Sequence, residues 1–134
     1  MGRKLRALLF EDEPVVRDLL TFLLEDRGFE VLAYSEPLHC PAYTRGGQCG
    51  CPEGAACGDV LVTDVEMPHV SGLQMLADKI AHGCRPTVDN IAAMSGGWTP
   101  ERREEAERLG CKTFDKPFSV REFDRWLHDC QGRA

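Results

Sequence analysis

Asp59-Val60-Leu61-Val62-Thr63-Asp64-Val65-Glu66-Met67-Pro68 decides how the rest of the chain is read. Its run of aliphatic and β-branched residues suits a strand covered on both faces, Asp64 ends it in a carboxylate, and Met67-Pro68 breaks the extended course. Three more strand-like runs end in polar or charged groups. Ala7–Phe10 runs into Glu11-Asp12-Glu13, Ile91–Met94 into Ser95, and Lys112–Phe114 into Asp115-Lys116-Pro117. In an open parallel α/β sheet the site lies beyond the carboxyl ends of the strands, so the four endings should converge.

Between these runs the spacing changes from strand to helix and back. Pro14 suits the first turn of a helix, and Val15, Val16, Leu19, Leu20, Phe22, Leu23 and Leu24 recur at helical spacing until Gly28. Phe29–Tyr34 reads as the next strand. Residues 72–82 carry Leu73, Leu76, Ala77 and Ile80 on one side and predict a short amphipathic helix, followed by a strand over 87–94. Thr99-Pro100-Glu101 is a cap, a first-turn proline and an acid at the positive dipole end. The helix it opens is almost wholly polar, with Ala106 and Leu109 as anchors. Cys111–Phe114 is the fifth strand, and Ser119 caps a last helix with Val120, Phe123, Trp126 and Leu127 inward. Strand alternating with helix argues for right-handed crossovers and a parallel sheet.

Residues 35–58 interrupt this rhythm. Pro37, Pro41, Pro52 and five glycines disfavour the helix that alternation would place there, so a long Cys-rich loop is expected. It carries Cys40, Cys49, Cys51 and Cys57, four of the seven cysteines. Cys-x-Cys is tighter than standard zinc spacing, and three readings stay open: Zn²⁺ or another thiolate-bound metal, a disulfide or redox switch, and free thiols. A cross-link of either kind would offset the ordering entropy of so long a loop.

The 134 residues fit one domain, 1–134, with that insertion. A net charge of −6 with scattered basic residues disfavours direct nucleic-acid binding. The first apolar run stops at Glu11, too short for a signal-peptide core or a membrane span, which predicts a cytoplasmic protein with no membrane contact. His39, His69, His82 and His128 have no mutual spacing that suggests a site, and Glu13 reads as a helix-start acid.

Carboxylates at 11, 12 and 64 brought together would repel one another and raise their pKa values, and a divalent cation resolves this; hard oxygen donors favour Mg²⁺. With the Lys116 ammonium and the Ser95 hydroxyl, the set is equipped to place a phosphoryl group on Asp64. In this order the four motifs resemble those of response regulator receiver domains, over essentially the whole chain. They are Glu11-Asp12-Glu13-Pro14, Asp64-x-x-Met67-Pro68 with Gly72, Ser95-Gly96 and Lys116-Pro117-Phe118.

The resemblance implies a doubly wound, flavodoxin-like sheet of five parallel strands in order 2-1-3-4-5, with helices on both sides. It makes Asp64 the phosphoacceptor, Glu11 and Asp12 the metal-side acids, the Glu66 main-chain carbonyl a further Mg²⁺ ligand, Ser95 the switch hydroxyl and Lys116 the phosphoryl contact. A sensor histidine kinase would be the donor and a further protein the target. The domain would be a stand-alone signalling switch with slow self-dephosphorylation, not a turnover enzyme. Its output face would be the polar helix, the fifth strand and the last helix. Lys116→Ala is then expected to keep the fold while weakening the response.

Departures from the family pattern are as informative. Thr113 stands where receivers carry an aromatic, Glu11 replaces the commoner Asp, His69 follows Met-Pro where Gly is frequent, and the Cys-rich loop displaces or shortens the second helix. Because Thr113 cannot fill the space a moving hydroxyl vacates, and alternation puts Phe114 on the other side, the loop Ser95-Gly96-Gly97-Trp98 is expected to carry the change. Two other functions compete. A haloacid-dehalogenase-like phosphatase also uses a nucleophilic Asp, Mg²⁺, Ser/Thr and Lys with an acid two residues on, but its nucleophile follows the first strand. A metal or redox sensor built on the cysteines would need no intact Asp64 pocket.

Overall fold

The computed structural model describes residues 5–35, 58–81 and 90–133, so the segment carrying Cys40, Cys49, Cys51 and Cys57 lies outside the described residues, as does Cys84. In chain order the elements are β1 (Arg6–Phe10), helix α1 (Pro14–Asp26), β2 (Glu30–Tyr34), β3 (Val60–Asp64), helix α2 (Gly72–Ala81), β4 (Ile91–Ser95), helix α3 (Pro100–Arg108), β5 (Cys111–Asp115) and helix α4 (Val120–Arg133). The strands form one parallel sheet in the order β2-β1-β3-β4-β5. This is the predicted topology.

Every residue of β3 and β4 is buried, which is why both read as unbroken apolar runs, whereas the edge strands β2 and β5 keep exposed positions. Alternation divides the sheet between two cores. Ala7, Leu9, Val62, Met94 and Phe114 face α1 and α4, meeting Leu20, Leu24, Phe123, Trp126 and Leu127. Leu8, Phe10, Leu61 and Ile91 face Met75 and Leu76 of α2, and a smaller cluster joins Val65, Leu73 and Ala93 to Ala106 of α3. Phe114 packs edge-on against Phe123 and Trp126, on the side away from Thr113, as the alternation of β5 predicts.

Local punctuation follows the sequence. Gly28 and Gly110 take left-handed conformations, φ 91° and 81°, just beyond the helices they end. The Arg102 amide donates to Thr99 Oγ1 at 3.1 Å and the Glu122 amide to Ser119 Oγ at 3.2 Å, so both expected caps form. Helix α1 is wider in its apolar arc than the core can cover. Leu20 and Leu24 are buried, while Val15, Leu19 and Phe22 stand 76%, 43% and 54% exposed as one stripe. Its C-terminal end is braced to α4 by the Arg27 guanidinium, which donates to both Asp124 oxygens at 2.7 and 2.8 Å.

Candidate functional site

The four endings converge at one edge of the sheet. The Glu11 amide donates to the Tyr34 carbonyl, the Val65 amide to the Met94 carbonyl and the Lys116 amide to the Ser95 carbonyl, so each loop leaves its strand still tied to the neighbour. Parallel register carries the polar residues to the same level, Asp64 beside Met94 and Ser95 beside Asp115. His69, in the loop after Pro68, has φ 71°, where a non-glycine residue is strained, which accounts for the frequency of glycine there.

Lys116 Nζ donates to Asp64 Oδ2 at 2.9 Å and to Glu11 Oε1 at 2.8 Å. Both carboxylates are nearly fully buried, whereas Asp12 is exposed. The extra methylene of Glu11 gives it the reach to share the ammonium with Asp64. Burial, then the Glu11 carboxylate, pushes the Asp64 pKa up to about 8 against the opposing pull of Lys116. For Lys116 burial works against the charged form, but the bonds to Glu11 and Asp64 outweigh it and raise its pKa. Oxygens of Glu11, Asp12 and Asp64 all lie within 4.8 Å of one another, a donor set of hard oxygens that suits a divalent cation.

Several contacts around the site were not visible in the sequence. Arg17 reaches back from α1 so that Nη1 donates to the Glu11 carbonyl at 3.0 Å, bracing the acid turn; its place one turn after Glu13 was the available signal. Ser95 Oγ gives its proton not to Asp64 but to Glu66 Oε1, and Arg102 Nη1 donates to that same oxygen at 3.0 Å. Spaced 29 and 36 positions from Glu66, these residues leave no periodic trace. Trp98 is half-buried against Val65, Leu73, Ala93 and Ala106; its indole N–H donates to the Phe114 carbonyl at 2.9 Å, and the Arg103 guanidinium lies 5.4 Å over its ring.

Of the remaining cysteines, Cys111 and Cys130 are free thiols. Burial pushes their pKa values up to about 12 and about 11, so neither supplies a reactive thiolate. The cysteine-based reading rests entirely on the segment outside the described residues. Among the described residues no helix is long and apolar enough to cross a membrane.

A five-stranded parallel sheet in this order, with acids beyond β1 and β3 and a lysine beyond β5, defines a doubly wound protein of the flavodoxin-like class. No family model matches the chain. It is 34% identical over 119 residues to the transcriptional regulatory protein FixJ of Azorhizobium caulinodans, spanning 88% of this chain and 51% of that protein. Among solved structures it resembles the chemotaxis protein CheY4 of Vibrio cholerae, with a TM-score of 0.72, 22% identity and coverage of 96% of this chain and 99% of that one. It also resembles a response regulator receiver protein from Pseudomonas putida, with a TM-score of 0.74, 18% identity and coverage of 96% and 99%. The chain therefore has the fold of these receiver proteins, and it spans about half the length of the curated relative it matches.

Proposed function

We propose that the chain is a phosphoryl-accepting signalling switch in which Asp64 takes a phosphoryl group from a histidine kinase. The observation that carries this is the meeting of Asp64, Glu11 and Lys116 within 2.9 Å contacts beyond three different strands. An Asp64 carboxylate oxygen attacks phosphorus, an acyl phosphate O–P bond forms, and the N–P bond of the donor phosphohistidine breaks, its electron pair returning to the imidazole, which takes a proton. Lys116, which donates to Asp64, would follow a phosphoryl oxygen, and Arg17 holds the acid turn steady. Glu11, Asp12 and Asp64, with the Glu66 main-chain carbonyl, would hold Mg²⁺, whose charge keeps the carboxylates ionised and offsets that of the donor. The exposed stripe Val15, Leu19 and Phe22, which begins three residues after Asp12, supports a protein partner at this edge.

Treating the protein with acetyl phosphate and Mg²⁺ and weighing it intact tests the assignment. Wild type should gain one phosphoryl group and Asp64→Asn none. Equal uptake by the variant would remove Asp64 from this role.

The surroundings of Trp98 support the loop after β4 as the route by which the change leaves the site. Thr113 is small, Phe114 is committed to the opposite core, and Trp98 covers the cluster beside α3. Two glycines give residues 95–98 the freedom to move. With Trp126 replaced by Phe to isolate the signal, Trp98 fluorescence should change when beryllofluoride and Mg²⁺ are added. A constant signal at proven occupancy would place the output surface elsewhere.

The position of the nucleophile argues against the dehalogenase-like alternative, because the acid pair here follows the first strand and Asp64 the third.

A further inference from the structure

The Ser95 hydroxyl has its proton engaged, but not with Asp64. It accepts from the Gly97 amide at 2.9 Å and gives its one proton to the Glu66 carboxylate at Oε1. Ser95 is completely buried, so a hydroxyl released from Glu66 must find another acceptor within the protein or at the phosphorylated site. Arg102 fixes the carboxylate, its Nη1 donating both to Glu66 Oε1 at 3.0 Å and to the Gly97 carbonyl at 3.1 Å. Glu66 is also Asp64's close neighbour, since the Glu66 amide donates to Asp64 Oδ1 at 3.3 Å.

We propose that Glu66 is a positioning residue that holds the Ser95 hydroxyl away from Asp64, so that a phosphoryl group must win that hydroxyl from the Glu66 carboxylate. This rests on the reading of Asp64 as phosphoacceptor. A hydroxyl has one proton to give, so the Glu66 bond and a phosphoryl bond exclude each other. A phosphoryl group brings between one and a half and two negative charges, roughly, to a place two residues from a carboxylate, and so weakens the hold it competes with. Because Arg102 grips both Glu66 and the Gly97 carbonyl, movement of the carboxylate pulls on the loop that carries Trp98. Glu66 thereby sets how tightly the site retains a phosphoryl group.

The test is the apparent Kd for beryllofluoride, with Mg²⁺ present, followed by tryptophan fluorescence. The Glu66 side chain is 44% exposed, so its replacement spares the core, and the main-chain carbonyl stays. Glu66→Ala should tighten binding about tenfold, the scale of one hydrogen bond to a charged group. Glu66→Gln keeps an oxygen that can accept the serine proton but lacks the charge, and should tighten binding distinctly less. In a Ser95→Ala background the two variants should become equal. Equal tightening by Ala and Gln with Ser95 intact, or an undiminished Glu66→Ala effect without Ser95, would mean that charge alone acts and would overturn the proposal. No beryllofluoride binding by wild type would overturn the phosphoacceptor reading itself, a result distinct from either.

Discussion

Replacing Gly72 by alanine is expected to lower stability by about 4 kcal/mol and to abolish phosphoryl uptake along with it. A Cβ at this position would lie 2.1 Å from the Asp64 carbonyl oxygen and 2.7 Å from Thr63 Oγ1. Neither neighbour can yield. The Thr63 hydroxyl donates to that same carbonyl at 2.9 Å, Asp64 is the last residue of a strand paired on both sides, and the Gly72 amide is itself held by the Val65 carbonyl at 2.9 Å. Relief requires α2 to move off the sheet or Asp64 to leave its place beside Lys116. Urea unfolding with intact-mass analysis after acetyl phosphate reads both effects. A wild-type midpoint would show that the approach of helix to strand is looser than the distances state.

Lys116→Ala is expected to remain folded at pH 6 yet to lose about 3 kcal/mol at pH 9 without Mg²⁺, and to regain most of it when Mg²⁺ is added. The ammonium is the positive charge between two carboxylates that are each almost wholly buried. The sign follows from Asp64, whose pKa rises from 3.8 unfolded to about 8 folded. The folded chain keeps a proton that the unfolded chain sheds, so this group's contribution is fully present below about pH 4 and is lost as pH rises through about 8. Lys116 is the influence that opposes the rise, and without it the loss extends further up the scale. Thermal unfolding at the two pH values, with and without Mg²⁺, checks the expectation. A pH and Mg²⁺ dependence identical to wild type would show that the ammonium does not govern the two acids.

What could be read in advance was local. Buried strands announce themselves by composition, so β3 and β4 stood out, and a carboxylate, serine or lysine after each run marked the site because parallel strands end together. The glycines at 28 and 110 and the caps at 99 and 119 depend on neighbours within four residues and were equally legible. Glu66 was not. It registers as one acid after Asp64, and only the folded sheet brings Ser95 and Arg102 to its side chain. Helix α1 erred in the other direction, because seven apolar residues declare a helix without saying that three of them face outward. The cysteines at 40, 49, 51 and 57 fit neither a strand period nor a known ligand spacing, so the segment that holds them was legible only as a break in the pattern.

Helix α3 places Ala106 as its one fully buried residue and is otherwise joined to the body by arginines and a capping threonine. Little apolar area is exposed when such a helix lifts away, so its opening is decoupled from unfolding of the sheet beneath. Its amide hydrogens are then expected to exchange with solvent through small excursions, and those of β3 and β4 only when the whole domain opens. Among the described helices, the one next to Ser95 and Trp98 keeps the fewest buried residues, and a change of a single hydrogen bond at its base is expected to shift how often it opens.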